Sequence, residues 1–342
     1  MSAPRYMAYV SCLKGARIEA FAFAAGDGPL AHVQTVELSG KGLPLAPSPD
    51  GRHLYASVIG ERDGAEEDRI DAFEIDRMTG TLVPLSSTVI VARMAHIRVD
   101  RSGGFLLGAS FPSSLIAVYP IGDRGHVAAE PSFVMPTPSK AHQILTDPSN
   151  RFAFVPNLGA DLVMQLVFDE KTGTFRENAP PALQFRPGAG CRHVAYHPNR
   201  RYVYLLNELD GSLIVLRLDP ATGTLSEIAR DTILRPDLDG SPWGAQIHVS
   251  PDGRRLFASE RRGATLAVWD IAGASGQVSN RRLVETGANP RCFDISPDGR
   301  HLVLGAMAED RIVVYDITGE VPEKIADYPT GPEPGWVEIV RL

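Results

Sequence analysis

Short apolar stretches, each alternating with polar residues, run the length of this chain and are cut at intervals by clusters of Pro, Asp, Gly, Asn and Ser. Around Pro198 the pattern reads residue by residue. His193-Val194-Ala195-Tyr196 alternates in the manner of a strand, Asn199-Arg200 makes a turn, and residues 202–206 form a second strand. Gly211 marks another turn before residues 212–218, and Pro220-Ala221-Thr222-Gly223 turns again ahead of residues 224–229. Four short strands joined by tight links predict one antiparallel sheet. No long stretch carries a 3.6-residue apolar period with caps, so helix is expected to be nearly absent.

The turn after the first strand recurs. Ser-Pro-Asp-Gly-Arg stands at residues 48–52, 250–254 and 296–300. Looser copies are Asp100-Arg101-Ser102-Gly103, Asp147-Pro148-Ser149-Asn150 and His197-Pro198-Asn199-Arg200. These landmarks lie about 46 to 53 residues apart, a period that signals stacked β units, and a four-stranded unit repeated about an axis is a propeller blade. The chain opens at residues 6–23 with what read as second and third strands, lacking the first. It closes at residues 335–342, where Gly-Trp-Val-Glu-Ile-Val matches the first-strand pattern of residues 291–296. Joined, the two ends complete a seventh blade and leave no free edge. The expected fold is all-β: a single seven-bladed β-propeller domain over residues 1–342, four antiparallel strands per blade, its ring closed by strands from both termini.

In such a ring the first strand of every blade lines the channel, so equivalent positions can be compared. Six residues before the turn landmark stand Leu43, Ala95, His142, Arg192, Ala245, Arg291 and Gly335; ten after it stand Ile59, Phe111, Leu158, Glu208, Arg261 and Met307. The first column holds an imidazole and two guanidiniums. In the second only Glu208 and Arg261 are charged, with opposite sign and from consecutive blades. Arginines around one opening favour an anionic substrate, and a carboxylate with an imidazole supplies acid–base catalysis near neutral pH. An arginine beside them stabilises the oxyanion formed when water attacks an ester carbonyl. Hydrolysis of an anionic cyclic ester fits this set, as does the reverse ring closure. A structural ion pair between Glu208 and Arg261, in a pore that is merely hydrated, is the competing reading. His193 and His248 lie on alternating strands where packing or a capping hydrogen bond accounts for them better than catalysis does, and Trp243, after the Pro-rich residues 235–242, is a candidate lid or wall, with ordinary packing the equal alternative.

Composition narrows the partners. The formal charge is −7, and lysines and arginines form no basic stripe, which argues against nucleic acid. The acidic residues 61–69 read as a solvated loop. Cys12, Cys191 and Cys292 are too few and too scattered for a disulfide framework or a zinc ribbon. With no signal-peptide pattern and no apolar run near 18 residues, a soluble, cytoplasmic chain with no membrane contact is expected, monomeric by default. Gly-x-Ser-x-Gly, a Walker loop, a dinucleotide fingerprint and His-x-His are all missing, so neither an organic cofactor nor a resident metal is expected. Oxygen donors on Glu208, Asn207 and Asn157 leave calcium as the one metal worth testing.

Gly190-Cys191-Arg192-His193-Val194 with His197-Pro198, then Asn207-Glu208-Leu209, then Trp243-Gly244-Ala245-Gln246-Ile247-His248 ahead of Ser250-Pro251-Asp252-Gly253-Arg254, resemble the seven-bladed lactonase family. That family includes bacterial 6-phosphogluconolactonases of propeller type and a fungal carboxymuconate-lactonizing enzyme. The resemblance spans the whole chain and is strongest from Lys140 onward. It implies a hydrolase for an anionic sugar-acid lactone, 6-phospho-D-glucono-1,5-lactone first. A non-phosphorylated aldonate or aldarate lactone, or a carboxymuconate-type cyclisation, are alternatives within the enzyme class; a non-catalytic protein-binding propeller is the alternative outside it. By motif position it implies a catalytic set of His142, Arg192, Glu208 and Arg261, with Arg291 the fallback for the second arginine. Arg291, His193, Asn207, Trp243, Gln246 and His248 are then the candidate substrate contacts.

Overall fold

The structure, a computed structural model, describes residues 5–24, 30–62 and 65–342. Seven four-stranded antiparallel sheets stand around one channel. The innermost strands are Gly40–Pro47, His96–Val99, Leu145–Thr146, Cys191–Tyr196, Gly244–Val249, Pro290–Ile295 and Pro334–Arg341. The blade around Pro198 continues outward through Tyr202–Asn207, Ser212–Asp219 and Thr224–Thr232, the strands read from its apolar alternation. Pro334–Arg341 pairs antiparallel with Arg5–Cys12, Val337 opposite Val10, and the sheet goes on through Arg17–Ala24 and Ala31–Glu37. Both termini therefore build one blade, counted as the first, so that Gly40–Pro47 opens the second and Pro290–Ile295 the seventh, and the ring has no open seam. Among the described residues the single helical turn is Met307–Glu309, and no helix is long and apolar enough to cross a membrane.

The landmark turns share one geometry. Ser48, Ser250 and Ser296 each donate Oγ to the Asp two residues on and accept the N–H five residues on, at His53, Arg255 and His301. In two of the looser copies a carboxylate does this: Asp100 Oδ1 and Asp147 Oδ1 accept the N–H groups of Phe105 and Phe152, each at 2.9 Å. The fourth residue must adopt positive φ, +67° at Gly51 and +73° at Gly253, which is why glycine stands there.

Facing sheets are joined by apolar side chains. Tyr204, Leu206 and Val215 of the fifth blade pack on Leu256, Ala258 and Trp269 of the sixth, and Trp269 Nε1 donates to Asp231 Oδ2 at 2.9 Å. Trp269→Ala should lower the unfolding free energy by about 3–5 kcal/mol, measured by denaturant melts; a change below about 1 kcal/mol would mean that this contact does not join the two blades.

One expectation fails. Residues 61–62 and 65–69 are not a loop: the strands His53–Arg62 and Ala65–Ile75 extend the second blade's central hairpin over them, with Ile59 opposite Asp68 and Val58 opposite Arg69. Charge density along this segment does not prevent backbone pairing. Asp63 and Gly64 lie outside the described residues.

Candidate active site

Each blade feeds the channel through the start of its innermost strand, and in five of the seven the pairing there slips by one residue; the strands His96–Val99 and Leu145–Thr146 pair without a shift. The shift falls between Cys191 and His193, between Pro290 and Cys292, between Gly244 and Ile247, and between Pro334 and Trp336. Arg192, Arg291 and Gly335 are the extra residues, released from the ladder at one mouth of the channel. A bulge of this kind re-aims a side chain that strict alternation would bury between sheets.

Arg192 is 1% exposed. Its Nε donates to Glu208 Oε2 at 2.8 Å, and its Nη1 donates to the carbonyl of Ala245 on the next blade. Arg261, from that next blade, places Nη2 2.8 Å from the same Oε2 and 2.9 Å from the carbonyl of Gly244. Its guanidinium lies 3.9 Å from the ring centre of Trp243, a cation–π contact that makes Trp243 a wall of this mouth. Burial, with Arg192 next to it, pushes the Arg261 guanidinium below the arginine range, while Glu208 opposes the shift. Arg192 is lowered to about 10, by burial first. Arginine starts so high that both remain cations at neutral pH. Half-buried Arg291 acts by its charge on Arg192, Arg261 and His142. Three guanidiniums thus face one carboxylate, an excess of positive charge suited to an anion.

The His142 ring centre lies 5.0 Å from His193 and 5.7 Å from Phe111, over which Lys140 Nζ sits at 5.4 Å. His142 Nδ1 is buried and finds no partner among the described residues. Burial, then the charges of Arg192, Arg291 and Arg261, hold this imidazole well below its ordinary pKa, so it is neutral. His193 Nδ1 is 2.6 Å from Gln246 Oε1, which can only accept, so the proton sits on Nδ1. Gln246 Nε2 in turn lies 2.7 Å from His248 Nε2.

The structure brings His142, Arg192, Glu208, Arg261, Arg291, His193 and Trp243 to this mouth. It does not bring Asn207 or His248. Asn207, 1% exposed, donates Nδ2 to Ser212 Oγ at 2.8 Å inside its own blade. His248 lies further down the channel, 3.9 Å from Asp294, and Gln246 backs His193 rather than facing the cluster. Nor does the calcium set fit: a cation at Glu208 would meet the two guanidiniums that already hold its Oε2.

Sequence reasoning named His193 and Gln246 but missed the layer to which they belong, just inside the first column, and with it His96, Gln143 and Trp336. All five stand five residues before the landmark, one place beyond the column used. His96, His193 and Trp336 pack with ring centres 5.7 to 6.2 Å apart. These side chains form a plug between the His142 side of the channel and the cavity described next, which His96, Gln143, Gln246 and Trp336 line. Below it opens a cavity of about 800 Å³ that reaches the opposite mouth.

Three buried imidazoles give acid sensitivity. His96, His142 and His193 are all held well below 6.5, by burial first. Below pH 6.5 the unfolded chain takes up protons that the native state refuses, so stability falls as pH falls, by about 1.4 kcal/mol per pH unit per histidine. Asp294, pushed up to about 6 by burial, and Glu338, also raised by burial, work the other way, but His248, lowered to about 4, joins the three imidazoles, so four groups stand against two. Urea melts between about pH 7.5 and 5.5 should show the decline, and His96→Phe should make it shallower; a flat profile would contradict the buried, neutral assignment.

Comparison with known proteins agrees with this architecture. The family described as lactonase, 7-bladed beta-propeller, matches residues 6–339. A 6-phosphogluconolactonase of Pectobacterium carotovorum is 30% identical over 337 residues, covering 98% of each chain. One from Serratia proteamaculans is 32% identical over 316 residues, covering 92% of each. Among solved structures, a periplasmic gluconolactonase of Pseudomonas aeruginosa superposes with a TM-score of 0.88 at 24% identity, covering 98% of this chain and 99% of that one, a likeness of fold.

Proposed function

Because the chain belongs to the seven-bladed β-propeller lactonase family, we propose that it hydrolyses 6-phospho-D-glucono-1,5-lactone to 6-phosphogluconate at the mouth formed by blades four to seven. The observation that carries this reading is the pair of buried guanidiniums on one oxygen of Glu208, with Arg291 and neutral His142 beside them. Near-full-length relatives that bear the name 6-phosphogluconolactonase support the same substrate.

In this mechanism Arg192 and Arg261 polarise the lactone carbonyl, and Glu208 holds the two guanidiniums in register. His142 takes a proton from water as the water oxygen bonds to the carbonyl carbon. The oxyanion rests on the guanidiniums until the bond from that carbon to the ring oxygen breaks. The ring oxygen then recovers the proton from His142, and the new acid ionises. Arg291 and Lys140 hold the phosphate at the rim. A cytoplasmic location belongs to this reading and is supported by three cysteines that are all free and buried.

A panel of δ-lactones with and without phosphate, assayed by acid release against the spontaneous rate and with EDTA controls, tests it. The phosphorylated gluconolactone should be the best substrate, and Arg291→Ala should raise its KM about tenfold while leaving the unphosphorylated lactone nearly unaffected. Equal rates on both lactones would remove the phosphate from the assignment, and no hydrolysis of any lactone would remove the reaction.

A further inference from the structure

The cavity of about 800 Å³ beneath the plug has no part in this chemistry, yet it is of the size that holds small molecules. It is lined by charged and hydrogen-bonding groups with unused capacity. Arg98 reaches Glu338 only through Nη1, at 3.4 Å to both oxygens; its Nε and Nη2 meet no partner among the described residues. Gln143 is 5% exposed and accepts the N–H of Val194 through Oε1, which leaves its Nε2 donor free. His96, 4% exposed, carries a buried Nδ1 with no partner among the described residues.

The charges select the occupant. Arg77, Arg101 and Arg341 stand at the outer end, and Arg98 lies deeper. Against them are Asp50 at the rim, Glu338, and Asp294 just behind the wall. Asp294 has both oxygens taken by the N–H groups of Ile295 and Ile339, and burial favours its neutral form. The balance favours an anion. A plain anion, however, has no hydroxyls to donate to Glu338 or to cover the Trp336 indole, and a neutral sugar leaves Arg98 unused. We infer that the opposite mouth is a second binding site, for a small polyhydroxylated acid whose carboxylate or phosphate meets Arg98 and whose hydroxyls meet Gln143, Glu338 and His96.

This holds whichever lactone the first mouth opens, and the two sites can be separated. Calorimetric titration of the wild-type protein with D-gluconate should show binding, tighter by about tenfold or more than D-glucose or inorganic phosphate. Arg98→Ala should weaken gluconate binding by about tenfold or more, with lactone turnover within about twofold of wild type. Leu145→Trp, which fills the cavity from its wall, should do the same and keeps the test open if the arginine variant fails to fold. Arg192→Ala should leave this binding in place while lactone turnover collapses. The inference is overturned if no gluconate binding is seen to about 10 mM, or if glucose or phosphate binds as tightly. It is equally overturned if binding survives Arg98→Ala and Leu145→Trp but is lost in Arg192→Ala, which would place the gluconate at the reaction site instead.

Discussion

Arg192→Ala is expected to lower kcat/KM for the lactone by about 10²–10³, the loss typical when one donor to a developing oxyanion is removed. The side chain is buried and geometrically committed: Nε on Glu208, Nη1 on the carbonyl of Ala245. Most of the loss should therefore appear in kcat. A guanidinium used only to attract the anion would raise KM instead and leave kcat alone. Arg192→Lys should not rescue, because a point charge on a flexible stem cannot serve a carboxylate and a carbonyl in one plane. Circular dichroism and a thermal melt are needed alongside, since the variant also leaves a buried carbonyl without its donor. Hydrolysis within about threefold of wild type by a folded variant would remove the carbonyl-polarising role.

Much of the fold was legible because its punctuation is chemical. A turn that needs positive φ in its fourth residue selects Gly51, Gly253 and Gly299, and those glycines give the period directly. Ring closure followed from residues 335–342, whose alternation has a matching partner only at the other end of the chain. The site was partly legible for the same reason: Arg192, Glu208 and Arg261 occupy equivalent slots, and slots converge. Part of what was lost traces to the bulge. Simple alternation makes every second residue face the channel, yet the slip at Cys191–His193 turns two consecutive residues, Arg192 and His193, toward it. The same slip at Pro334–Trp336 hid Trp336, whereas His96 and Gln143 belong to blades whose innermost strands pair without a shift and went unread because only one column was compared. Asn207 was misplaced because adjacency to Glu208 says nothing about direction on a strand, and its amide turns to Ser212. The segment 61–69 was misread because charge density predicts solvent exposure, not the absence of backbone pairing.

Glu208→Gln separates orientation from proton transfer. The amide has the volume of the carboxylate, and its oxygen can still accept from Arg192 and Arg261 where Oε2 now does at 2.8 Å. What disappears is the negative charge between mutually repelling guanidiniums, and with it about half the strength of each hydrogen bond. With the clamp loosened, kcat should fall by about 10², because even small misplacement of polarising groups is costly. KM for the anionic lactone should fall at the same time, since three arginines are left without a counter-charge. That opposite movement is the signature of a positioning carboxylate. Were Glu208 itself the base, the loss in kcat would be as deep as for His142→Asn and the acid limb of the pH–rate profile would vanish with it. An unchanged kcat would show instead that the ion pairs only brace the propeller, and catalysis would have to be sought at another set of residues.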